Sequence, residues 1–143
     1  MNRAFGTALV SLYNGAEIGE ETNGLWYWEA PTQVGGVELE RPYTVYEFAA
    51  ETDSAMNATR RPHWEVINVT FSICSALHSP VEITRLFDLL TDALDPLPHA
   101  SFTAAGYNTI RIDRTGEELV PDPDEGWVYE VSYKFELENR LAD

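Results

Sequence analysis

From His63 to Asp95 the spacing of apolar residues changes period once. Ile67, Val69, Phe71 and Ile73 alternate with Asn68, Thr70, Ser72 and Cys74, which predicts a long strand over His63 to Ser75 with one core face and one half-exposed face. After a short turn, Ile83, Leu86, Phe87, Leu90, Ala93 and Leu94 recur at steps of three and four. Glu82, Arg85, Asp88, Asp92 and Asp95 fall largely between them, so the segment reads as an amphipathic helix opening at Pro80. Ser79 is placed to cap it, Pro80 suits the first helical position, and Glu82 can reach back as a capping box. The run Asp95-Pro96-Leu97-Pro98 stops it, because a residue before proline is pushed out of the helical region.

The flanking patterns are shorter. Phe5, Ala8, Leu9 and Leu12 fall on one side of a helix over Arg3 to Tyr13 that Asn14-Gly15 would end. Residues from Ala16 to Gly24 read as acidic and turn-rich, Leu25 to Trp28 as a brief aromatic strand, and Pro31 to Arg41 as a connection. Pro42 to Phe48 predicts a strand with Tyr46 and Phe48 on one side and Tyr43 and Val45 on the other. The polar stretch Ala49 to Pro62 would join it to the long strand as an antiparallel hairpin with an extended tip. Tyr107, Ile110 and Ile112 mark a strand within Ser101 to Asp113, and the residues around Leu119 and Val120 read as a loop between turns. Trp127, Tyr129, Val131, Tyr133, Phe135 and Leu137 then alternate with polar positions in a strand central to its sheet. The fold expected is α+β in a single domain over residues 1–143. It has a mostly antiparallel sheet, one main helix over about residues 80–95 packed across it, and a short N-terminal helix.

Composition narrows the function. A chain of 143 residues buries about 68–70% of its unfolded surface, enough for a core without staples. The single cysteine, Cys74, rules out an internal disulfide and reads as a small buried residue. No secretory signal and no membrane span is evident, so a reducing compartment and no membrane partner are expected; the sequons at Asn57 and Asn68 then carry no weight. Asp and Glu number 24 against 9 Lys and Arg, a net charge of −15, with Lys134 the only lysine. A nucleic-acid-wrapping surface needs clustered bases, and Arg60-Arg61 is the only adjacent pair. The acidity has three readings: a surface suited to high salt or a codon bias, the wall of a passage along which DNA slides, or an imitation of DNA phosphates.

Catalytic chemistry finds little footing. His63, His78 and His99 lie far apart without metal-helix spacing, and Asp122, Asp124 and Gly126 lack the rest of a calcium loop. No nucleophile elbow or phosphate-cradling glycine loop is present, so no catalytic, cofactor or metal residue is assigned and the chain is read as not an enzyme.

The strand "RPYTVYE", the passage "SICSALHSPVEITRLFDLLTDAL" and the ending "GWVYEVSYKFELE", spanning most of Arg41 to Glu138, resemble the tail-terminator or tail-completion proteins of long-tailed viruses. The resemblance implies a ring, commonly of six copies, that caps the tail tube, ends its polymerisation and joins it to a head-side connector. Its partners would be further copies of the chain, the tube protein and the connector, with DNA only as passing cargo and with no cofactor. The location would be the tail-neck region of a virion assembled in the host cytoplasm. Interface candidates are Glu51, Asp53, Met56, Arg60 and Arg61 in the long tip, and Trp26 and Trp28 in the aromatic run. A neighbouring neck, head-completion or tube subunit, and an acidic DNA-mimicking module that binds a host protein, are the alternatives.

Overall fold

Strand β5 (Trp64–Cys74) lies between β4 (Tyr43–Ala50) and β7 (Gly126–Asn139), antiparallel to both. The computed structural model describes residues 3–50, 64–77, 79–96, 100–122 and 126–139. Strand β1 (Leu25–Tyr27) joins the outer side of β4 in parallel, and β6 (Tyr107–Asp122) pairs antiparallel with β7 at the other end. The sheet order is therefore β1-β4-β5-β7-β6, mostly antiparallel and curled. Alternation along β5 and β7 does what the sequence pattern requires: Ile67, Val69, Phe71, Ile73, Val131, Tyr133, Phe135 and Leu137 are all buried on one face.

Helices cover that face. The helix α1 (Arg3–Gly15) buries Phe5, Ala8, Leu9 and Tyr13, and α3 (Pro80–Leu94) buries Ile83, Leu86, Phe87, Leu90 and Leu94. Each such aliphatic or aromatic side chain contributes about 1.5–3 kcal/mol by leaving water, so the stripe rather than helix propensity holds α3 in place. The layer is not one helix alone. The short helix α2 (Glu17–Glu21) adds Ile18, and α4 (Ala100–Ala104) adds Phe102. Phe5 is the joint, with its ring 5.4 to 5.6 Å from those of Phe48, Phe102 and Phe135 and 6.4 Å from Tyr107.

Several expectations need correction. Residues 17–21, read as turns, form α2 because Ile18 has a core site to fill. The connection from Pro31 to Arg41 holds a small hairpin, β2 (Gln33–Val34) with β3 (Val37–Glu38), turning through Gly35 and Gly36 at φ 58° and 82°. The strand expected within Ser101 to Asp113 begins at Tyr107, and residues 100–104 ahead of it are helical. The supposed loop around Leu119 continues β6 to Asp122, with bulges between Thr109 and Arg111 and between Arg114 and Gly116. Its polar residues and Pro121 fit an edge strand, which among the described residues pairs on one side only.

Ser79 caps α3, its Oγ accepting from Val81 N–H at 3.3 Å. Glu82 closes no capping box with Ser79; it accepts from Ala76 N–H at 2.8 Å and ties down the preceding turn instead. β4 takes in Ala49 and Ala50, expected at the start of the long tip, because they continue its pairing with β5; the rest of that tip, residues 51–62, lies outside the described residues, as do His63, His78, His99 and Asp124.

Candidate functional site

Strand β1 is too short to cover β4. It pairs with Thr44, Val45 and Tyr46, and Trp28 N–H makes a last ladder bond to Tyr46 C=O at 2.8 Å. Beyond Tyr46, no described strand lies on this side of β4. Beside that open edge runs the first half of α1, and between them is a groove of about 620 Å³ lined by Arg3, Gly6, Thr7, Val10, Tyr27, Tyr46 and Phe48. Gly6 matters here: a Cβ on it would sit 3.2 Å from the Tyr46 hydroxyl, so a larger residue would press on the groove floor.

At the rim, Tyr27 is 54% and Trp28 67% exposed. Trp28 has φ 70°, a left-handed conformation unusual for a bulky residue, which turns the chain out of the sheet. Trp26 goes elsewhere. Its Nε1 donates to Asn23 C=O at 2.9 Å, and it helps line a separate recess with Val34, Val37 and Leu39. The aromatic run therefore does not form one patch: alternation along β1 parts Trp26 from Tyr27, and the turn frees Trp28. Glu51, Asp53, Met56, Arg60 and Arg61 belong to the tip outside the described residues. Sequence reasoning did not single out Gly6, Val10, Tyr27, Tyr46 and Phe48 as groove residues; its signals were Tyr46 and Phe48 on one side of a strand and Tyr27 within the aromatic run.

The opposite face of the sheet carries no described helix. The strand register aligns Glu47, Thr70, Ser132 and Gly116 in one row, and Val45, Ser72, Glu130 and Glu118 in the next. Further along, Asn68, Lys134 and Asp113 line up beside a row of Val66, Glu136 and Arg111. Thr70 and Ser132 hydroxyls are 3.3 Å apart, and Arg111 pairs with Asp113 at 2.6 Å. This face is polar and mainly acidic.

Inside, hydroxyl chemistry serves structure. Thr22 donates to Ile18 C=O at 2.8 Å, which uses its proton. Tyr13 must then donate to Thr22 Oγ1 at 2.7 Å and accept from Thr44 at 2.8 Å. Burial pushes the Tyr13 phenol up despite both bonds. Tyr133 is raised far more, by burial first and then by its bond to Asp95. Among the described residues no group of three or more His, Cys, Asp or Glu could hold a metal, and no helix is long and apolar enough to cross a membrane. Cys74 is buried, with its thiol donating to Ser72 C=O at 3.7 Å.

Comparison with protein-family models and with curated proteins finds no match for this chain.

Proposed function

We propose that the chain is a structural subunit of a long-tailed virus particle: a tail terminator that closes into a ring of copies, caps the tail tube and joins it to the head-side connector. One observation carries the reading. Among the described residues the sheet holds helices on one face only, and its other face presents Glu47, Glu118, Glu130 and Glu136 among hydroxyls and amides, with Lys134 and Arg111 set beside Asp113 and Glu136. Turned towards a lumen, that face would repel the phosphates of passing DNA and offer them no cluster of bases to stick to. In this reading α3 is the main helix across the sheet, and α1 the short N-terminal one beside it.

Ring closure gives the free edge of β6 a use. Fourteen of its sixteen residues pair with β7, no described strand pairs with its other side, and a neighbouring copy can cover that side. The experiment is electron microscopy of particles assembled without this protein. Overlong tubes apart from filled heads support termination. Normal tails beside leaking heads move the subunit to the head side, and infectious particles of normal form overturn the structural role.

A further inference from the structure

The groove beside α1 and the side chain at its rim are a hole and a knob on one patch. Trp28 stands 67% exposed, and it follows directly on Tyr27, which lines the groove. Its left-handed backbone, φ 70°, is one that glycine or asparagine would adopt with less strain, so an aromatic ring is held out where the chain's own conformation disfavours it. The charges match the shapes. Arg3 lies at one end of the groove, and Glu29 follows the knob. Neither takes part in an ion pair among the described residues. The surface is also suited to self-contact in a chain of net charge −15, because no Asp or Glu occurs before Glu17 and α1 therefore brings no acid to it.

We propose that this patch pairs two copies of the chain about a two-fold axis, with Trp28 of each copy entering the groove of the other and Glu29 of each meeting the other's Arg3. Knob and hole lie side by side, so a second copy that inserts its Trp28 also receives one. Such an interface uses the same patch twice and closes at two. The volume of about 620 Å³ is of the size that encloses small ligands and suits an aromatic ring. Tyr27, Tyr46 and Phe48 supply ring edges and faces for it to pack on. The open end of β4 lies alongside and would be sheltered from other strands. This pairing goes beyond the ring reading and does not depend on it.

The test is sedimentation equilibrium of the full chain over a range of concentrations. The parent should pass from one copy to two. Trp28→Gly should weaken pairing by about thirtyfold or more, the effect of losing a central aromatic anchor, while leaving the single copy at least as heat-stable as before because the strained φ is relieved. Arg3→Glu alone should also weaken the pair, and adding Glu29→Arg should restore it. A parent that stays single at every concentration overturns the pairing, as does Trp28→Gly that pairs as tightly as the parent, or a double swap no tighter than Arg3→Glu. A mass of six that survives Trp28→Gly overturns the pairing and leaves the ring standing. A mass of two that Trp28→Gly abolishes supports the pairing, whatever becomes of the ring.

Discussion

The Tyr133 hydroxyl donates to Asp95 Oδ1 at 2.9 Å, so the strand β7 is tied to the residue that caps the C-terminal end of α3. Asp95 N–H also closes the helix on Thr91 C=O at 2.8 Å. One residue thus ends the helix and anchors it to the sheet. Tyr133→Phe keeps the ring, its T-shaped contact with Phe71 and the packing volume, and removes only the bond. The expected cost is about 1–2 kcal/mol, at the lower end for a bond to a charged group because Asp95 is exposed. Urea unfolding at neutral pH would measure it.

The same tyrosine sets a pH dependence. Its phenol is held above the ordinary value of 10.0 by burial and by the bond to Asp95, so the folded chain keeps a proton that the unfolded chain loses. The stability is fully present below pH 10.0 and falls as the pH rises above it, because the unfolded state then binds fewer protons. Tyr13, Tyr46 and Tyr129 are raised as well, so the decline combines several groups. Unfolding midpoints followed from neutral to strongly alkaline pH should fall less steeply for Tyr133→Phe than for the parent; equal slopes would remove Tyr133 as a cause.

Phe5 joins α1 and α4 to the sheet through four ring contacts and is fully buried. Phe5→Ala should cost about 3–5 kcal/mol, combining lost burial with a cavity that four rings cannot close. Hydrogen exchange should show α1 losing protection before β5 and β7. An unchanged α1 would mean that Ala8, Leu9 and Tyr13 suffice to dock it.

Two glycines with positive φ should respond differently to substitution. A Cβ on Gly126, at φ 121°, would lie 2.8 Å from Ser75 C=O and 3.0 Å from that of Leu77, both backbone atoms that cannot swing aside. Gly35, at φ 58°, has nothing within 4 Å. Gly35→Ala should cost about 1–2 kcal/mol, the price of the left-handed backbone alone. Gly126→Ala should cost more, and thermal unfolding of the pair of variants would rank them.

Arg85 of α3 holds Glu21 of α2 through two bonds of 2.6 and 3.1 Å at the surface. The bond to Arg85 depresses the Glu21 carboxyl below its ordinary 4.5. Its contribution is therefore present above that value and lost as the pH falls through the folded one. Glu21→Gln should lower the melting temperature slightly at low salt, and the difference should shrink at 1 M salt, where the screening length is about 3 Å. A difference that salt leaves unchanged would point to packing.

The elements with a full period were legible in the sequence. β5, β7 and α3 match the predicted strand, strand and helix within a residue or so, and α1 runs two residues beyond the predicted end at Tyr13. Each places an apolar residue at every turn or every second residue, so its own periodicity defines the buried face. The pieces that sequence misread are short or lie at the edge. A five-residue helix such as α4 spans little more than one turn and shows no period, and β6 is an edge strand among the described residues, so polar residues and Pro121 are admitted to it. The long tip, where most of the interface candidates fall, lies outside the described residues, and the groove takes its place. Tertiary structure alone decided that β1 runs parallel to β4 and stops at Tyr46, and that Gly6 and Val10 face Tyr46 and Phe48 across an open edge. No local pattern encodes this, because the groove is made by three segments, α1, β1 and β4, about twenty residues apart in the chain. Their distance is set by how the whole helical layer settles on the sheet.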